Sequence, residues 1–303
     1  MPQPADSSQA LTQSTTEEIR EPEPGHADRR FAVRFWGVRG SVPVPGADTV
    51  RYGGNTSCVE VKVGGQRLVF DGGTGLRVLG QHLAHLGIAV EAHLFFTQAQ
   101  WDRIQGFPFF SPAFDAATRL HIYGAAAANG ASIKQCLMDQ MLRPNSFTPL
   151  QTMAADLAFH NIQAGETIQL ADVAIETVSL NPRTGGLGYR VTWQNRVLVY
   201  ATDADLTGAT TDANLTFLAS GADVLILNSR DDDGARRDRI DNPLAPWESA
   251  VAIAQAANSR QLVLFHHAPC HTDEQLDALE QRLRATLPTA RLAREGLILE
   301  VGV

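Results

Sequence analysis

The sequence predicts an α/β-layered domain running from Phe31 to Val303, on three observations. Short apolar runs recur along the chain, helical leucine spacing alternates with them, and a glycine turn joins the first strand group to the first helix. With 303 residues, 44% of them hydrophobic and 19% charged, the chain can bury a large core without disulfides or metal staples.

The elements follow in order. Residues 1–30 are rich in Pro, Ser, Thr, Gln and Glu, with Pro2, Pro4, Pro22 and Pro24 and almost no large apolar side chains. They read as a disordered, solvated tail, because burial there cannot offset ordering entropy. Phe31, Val33 and Phe35 alternate with Ala32, Arg34 and Trp36, and Val59, Val61 and Val63 repeat the pattern, so both stretches read as strands. Leu68-Val69-Phe70 is a third strand, and Asp71-Gly72-Gly73-Thr74-Gly75 opens a helix carrying Leu76, Leu79, Leu83 and Leu86. Further strands are expected over Leu94–Phe96, Val173–Val178, Leu187–Val191, Val197–Tyr200, Val224–Leu227 and Leu262–Phe265. Helices are expected over Ile133–Leu142, Thr211–Ala219, Trp247–Ala257 and Glu274–Leu283, the last preceded by Thr272 and Gln275 at capping-box spacing. No short-period repeat and no second domain are expected.

Composition excludes several functions. A formal net charge of -8 argues against nucleic acid or an anionic membrane as partner, since both need a concentrated positive field. No apolar run has the length of a membrane helix, and residues 1–30 lack the apolar core of a signal peptide. Cys58, Cys136 and Cys270 are odd in number and widely spaced, which fits a reducing compartment, so a cytoplasmic location is expected. The turn Asp71–Gly75 lacks both G-x-G-x-x-G spacing and a G-K-[S/T] ending, which disfavours a nucleotide cradle. No G-x-S-x-G occurs, and Cys58 falls within a strand expected to be buried, so seryl or cysteinyl catalysis has no support.

One string carries most information: Thr97-Gln98-Ala99-Gln100-Trp101-Asp102-Arg103, then Gly106-Phe107-Pro108-Phe109-Phe110. It resembles the T-H-x-H-x-D-H metal loop of the metallo-β-lactamase superfamily, in its phosphodiesterase and tRNase-Z-like branch, with the histidines replaced. The resemblance extends in order through Phe35–Ser41, Tyr52–Cys58, Asp71–Gly75, Tyr189-Arg190, Tyr200–Asp203, Trp247-Glu248 and Phe265–His267. It implies an αββα sandwich with the site at one rim of two sheets.

In that family two metal ions, usually zinc, position and acidify a bridging water. The resemblance places the first-site histidines at Gln98, Gln100 and Asn181, all amides here and poor zinc ligands. Of the second site, Asp102 and Asp203 remain, His266 is the late ligand with His267 beside it, and Arg103 replaces a histidine. Arg103 is expected to turn inward and pair with Asp102, Asp203 or both, in the space a metal would fill. Asn228-Ser229-Arg230 and Leu244 replace further polar positions of the family, which removes the expected general acid. Residues 231–239 form a mixed-charge loop, read as a solvated excursion. The cluster His266, His267, Cys270 and His271 reads as a strand end and helix cap rather than as a zinc site.

The sequence therefore leads to a pseudoenzyme that binds, scaffolds or regulates, with no cofactor expected. Its rim cleft would be lined by Gln98, Gln100, Arg103, Asn181 and His267 and take an anionic small molecule, or the outer surface would take a protein partner. The alternative is a phosphodiesterase-like hydrolase using one zinc or manganese ion on Asp102, Asp203 and His266. Nucleic-acid binding ranks third.

Overall fold

The computed structural model describes residues 30–146, 148–181, 185–202, 204, 213–228 and 247–302. The remaining residues, including the tail 1–29, Asp203, the 231–239 loop and Leu244, lie outside this description. The first sheet contains β1 (Phe31–Gly37), β2 (Cys58–Val63), β3 (Gln66–Phe70), β4 (Glu91–Phe96), β5 (Arg119–Gly124) and β6 (Asp156–Asn161). The second contains β7 (Thr167–Leu170), β8 (Val173–Asn181), β9 (Gly186–Trp193), β10 (Arg196–Ala201), β11 (Val224–Asn228), β12 (Gln261–Phe265) and β13 (Arg291–Leu292). A last strand, β14 (Ile298–Glu300), returns to the first sheet beside β1.

Both sheets are mixed and have the same logic. In the first, order β14-β1-β2-β3-β4-β5-β6, the pairs up to β2–β3 are antiparallel and β3 to β6 are parallel. In the second, β7 to β10 pair antiparallel and β10 to β13 parallel. Parallel strands need crossovers, and helices supply them. The helices are α1 (Gly75–Leu86), α2 (Trp101–Ile104) and α3 (Ile133–Gln140), then α4 (Ala213–Ala219), α5 (Trp247–Ala256) and α6 (Asp273–Thr286).

Three apolar layers hold the sandwich together. Phe31, Val33, Phe35, Val61 and Phe70 meet Val191, Tyr200, Val263 and Phe265 between the sheets. Leu76, Leu79 and Leu83 of α1 pack with Val69, Leu94 and Ile122 on the outer face of the first sheet. Leu215, Ile253, Leu276 and Leu283 cover the second. This is the αββα architecture, and burying both faces of each parallel set is what such sheets require.

The alternating stretches are strands as expected, and every residue of β2 is buried. The outer face carries paired charge: Glu60 accepts from Trp36 Nε1 at 3.0 Å and from Arg67 Nε at 2.9 Å, while Arg34 stacks on Trp36 at 3.9 Å. The capping box of α6 is present, with Thr272 accepting from Gln275 N and Gln275 accepting from Thr272 N. All three cysteines are free, and Cys58 is buried. Among the described residues no helix is long and apolar enough to cross a membrane.

Candidate functional site

The parallel strands of both sheets end at one rim, where side chains following β3, β4, β10 and β12 converge. β3 ends at Asp71, which adopts φ 60, a left-handed conformation uncommon for a residue with a side chain. Ser41 (φ 65) and His266 (φ 62) share this conformation at the same rim. Strained backbone of this kind persists only where surrounding contacts enforce it.

Backbone contacts between two turns enforce it here. Gly72 N donates to Arg103 O at 2.6 Å, and Gly106 N donates to Gly72 O at 2.9 Å. A Cβ on Gly106 would stand 1.9 Å from Gly73 O, so only glycine lets the 71–73 turn touch the 102–106 turn. That close approach drives Asp102 and Arg103 of α2 onto the end of β3.

Arg103 is fully buried and lies at the centre of the cluster. Its Nη1 donates to Asp71 Oδ2 at 2.5 Å and to Thr202 Oγ1 at 2.8 Å, and its Nη2 donates to Thr202 O at 3.3 Å. Asp71 also accepts from Thr97 N at 2.9 Å, Thr97 Oγ1 at 3.0 Å and Tyr200 OH at 2.9 Å. Burial raises the Asp71 carboxyl from its ordinary value, against the opposing pull of Arg103 and these donors.

Asp102 forms a second pair. Its Oδ2 lies 3.0 Å from His266 Nε2 and accepts from Ser41 N at 2.9 Å. Burial pushes this carboxyl up, but the His266 hydrogen bond, the nearby charges of Arg103 and His266, and Ser41 N–H outweigh it and hold it well below the usual carboxylate range. Arg103 Nη2 approaches His266 Nε2 to 3.4 Å. A ring nitrogen donating to Asp102 cannot also accept from Arg103, so the two pairs touch without sharing a proton. Arg103, Asp71, Thr202, Asp102 and His266 are all between 0% and 5% exposed.

The inward orientation expected for Arg103 is found, and among the described residues the carboxylate it pairs with is Asp71; Asp203, the other expected partner, lies outside them. Sequence reasoning missed Asp71, Thr97, Tyr200 and Thr202 as parts of the cluster. Their signal lay in the strings Asp71–Gly75, Thr97–Arg103 and Tyr200–Asp203, in which Asp71, Thr97, Tyr200 and Thr202 themselves were given no site role. Of the residues expected to line a rim cleft, Arg103 and His267 are fully buried, His267 with Nε2 2.8 Å from Ala293 O. Burial pushes His267 down to about 3, leaving it neutral. Gln98 is partly exposed and Gln100 exposed, both at the rim surface. Asn181 ends β8, with its side chain outside the description, and Asp203 lies outside it altogether. Asn228 turns inward, its Nδ2 donating to Ala204 O at 3.2 Å. His271 is buried and Cys270 exposed, so the late His/Cys string does not converge.

The donor set does not fit a two-metal centre. Zinc favours imidazole and thiolate. Here the loop positions carry amides, the Asp71 and Asp102 oxygens are engaged by protein donors, and a fixed guanidinium stands among them. Among the described residues, no three His, Cys, Asp or Glu side chains are grouped to hold a metal ion.

Fold and site together define the class: an αββα sandwich with a polar cluster at the carboxyl ends of both parallel strand sets. The chain belongs to the metallo-β-lactamase superfamily, since the family model for the beta-lactamase superfamily domain matches residues 42–267. A search of curated protein sequences finds no match. Among solved structures, the metallo-β-lactamase fold protein YhfI from Bacillus subtilis is 17% identical with TM-score 0.63, covering 90% of this chain and 99% of its own. A diphosphatase from the PhnP family is 18% identical with TM-score 0.64, covering 89% and 98%. The short form of human tRNase Z is 17% identical with TM-score 0.60, covering 90% and 100%. At these identities the likeness concerns the fold alone.

Proposed function

We propose that this protein is a non-hydrolytic member of its superfamily that acts through binding, as a scaffold or regulator. One observation carries the reading: the buried Arg103 guanidinium supplies, between Asp71, Thr202 and His266, the positive charge that metal ions supply in the related enzymes. A carboxylate group left without cations would be strained by desolvation and repulsion, and a fixed cation relieves this without offering an open coordination position. The burial of the cluster favours a protein partner on the outer surface over a ligand in the cleft. Trp101 and Phe109, each 63% exposed and flanking the cluster segment, are side chains of the kind such surfaces use. The free cysteines accord with a cytoplasmic setting.

A second reading, a hydrolase using one zinc or manganese ion on Asp102, Asp203 and His266, draws support from the adjacency of Asp102 and His266. Elemental mass spectrometry of untagged protein prepared without chelator separates the two. Near-zero zinc, manganese and iron supports the binding protein. About one metal per chain, lost in Asp203→Ala, overturns it in favour of the hydrolase.

A further inference from the structure

At the other pole of the second sheet, where β11, β12 and β13 begin, lies a cavity of about 480 Å³. That size is within the range of small-molecule sites. Arg260, just before β12, and Arg291, the first residue of β13, line it together with the Gln261 amide and the Thr289 hydroxyl. Pro288 and Leu299 supply an apolar wall.

The two arginines are differently placed. Arg260 is spoken for in part: its Nη1 lies 3.1 Å from Asp223 Oδ1, while the other Asp223 oxygen accepts from Val197 N at 2.8 Å. Arg291 differs in that its Nε is buried and meets no acceptor among the described residues. Burial and then Arg284 disfavour its charge, Glu280 favours it, and Arg294 again disfavours it. A buried N–H without an acceptor is costly. An oxyanion in the cavity supplies acceptors for this guanidinium, because the planar fork of arginine matches two oxygens at once.

We propose that this cavity binds the phosphate group of a small phosphorylated metabolite. Arg291 holds the phosphate in bidentate fashion, Arg260 adds a second cation at the mouth, and Thr289 and Gln261 donate neutral hydrogen bonds. The organic part lies along Pro288 and Leu299. With Asp223 already engaged, Glu300 is the remaining carboxylate of the lining and disfavours long polyanions, which selects a single phosphorylated small molecule. The site stands at the amino ends of strands whose carboxyl ends form the rim cluster, so it is independent of the reading given to that cluster.

The test is calorimetric titration of the full chain in phosphate-free buffer with two probes, inorganic phosphate and AMP. AMP is expected to bind saturably, and phosphate more weakly through the same residues. Arg291→Gln is expected to weaken both by about tenfold or more, Arg291→Lys by less, and Arg282→Gln, exposed on α6 and outside the lining, not at all. Thermal unfolding should show Arg291→Gln folded with an undiminished midpoint, since it removes an unpaired donor. No saturable binding of either probe up to about 10 mM, or equal affinity in folded Arg291→Gln, overturns the proposal.

Discussion

Arg103 Nη1 lies 2.5 Å from Asp71 Oδ2, with the two side chains 1% and 0% exposed, although 31 residues separate them in the chain. A salt bridge so deeply buried gains little over an apolar pair of the same shape, but removing one partner strands the other charge. The pair is therefore a constraint on the rim as much as a source of stability.

Replacing Arg103 by methionine is expected to lower stability by about 3–5 kcal/mol in urea denaturation, because Asp71 is then buried without its cation. The double variant Asp71→Asn, Arg103→Met should lose clearly less than the two single losses added, by at least about 1 kcal/mol. Strict additivity would show that the pair does not act as a unit.

Stability should fall as the medium is acidified, beginning near neutrality. His93 stacks on His121 with ring centroids 4.9 Å apart, and His121 on His160 at 5.6 Å, across neighbouring parallel strands. Burial, then the charges of His121 and His160, push His93 down from 6.5 to about 4. Between about pH 4 and 6.5 the unfolded chain therefore binds the proton that the fold refuses, so this contribution is whole above about 6.5 and lost toward 4. The His93 contribution is roughly 2 kcal/mol after allowance for partial solvation. The buried His267 acts in the same direction. Lower still, Asp102, whose carboxyl is depressed in the fold, adds a further loss as the pH drops below about 4. Urea midpoints measured against pH for the wild type and for His93→Phe check this, and equal slopes for the two would refute the His93 assignment.

Gly40 touches the His266 ring: a Cβ there would stand 2.7 Å from His266 Cε1. Gly40→Ala is expected to push the imidazole off Asp102 and cost roughly 1–3 kcal/mol. Its signature is a loss of thermal stability together with a moved His266 ring resonance by NMR. Gly106→Ala, where backbone meets backbone and nothing can yield, should be more damaging.

Metal affinity should be recoverable if amide and guanidinium substitution is what removed it. A variant carrying Gln98→His, Gln100→His, Arg103→His and Asn181→His is expected to bind zinc more tightly than the wild type, since imidazole replaces weak oxygen donors and the fixed cation is gone. Zinc calorimetry decides it. A folded variant that binds none would mean that the rim backbone no longer presents these positions to one point.

Much of the architecture was legible in the chain. Leu76, Leu79 and Leu83 are buried on α1 as their spacing implied, and the helix over 273–286 begins at the expected capping box. The strands β5, β6, β7, β13 and β14 were not read, for separate reasons. In β5 and β6 the positions facing the core hold His121, Tyr123 and His160, which blur the apolar pattern, and β13 and β14 are only two and three residues long. Of the rim, Asp102, Arg103 and His266 were named from the sequence, and the structure brings them together.

The local pattern by itself determined the layered α/β class, the position of the rim segment and the poverty of its metal ligands. Those properties reside in side-chain type and spacing along a continuous stretch. Only the tertiary structure decided that Arg103 pairs with Asp71, that Asp102 pairs with His266, and that both pairs are sealed from water. The choice between two carboxylates rests on close glycine contact between the 71–73 and 102–106 turns, a distance that spacing along the chain does not encode.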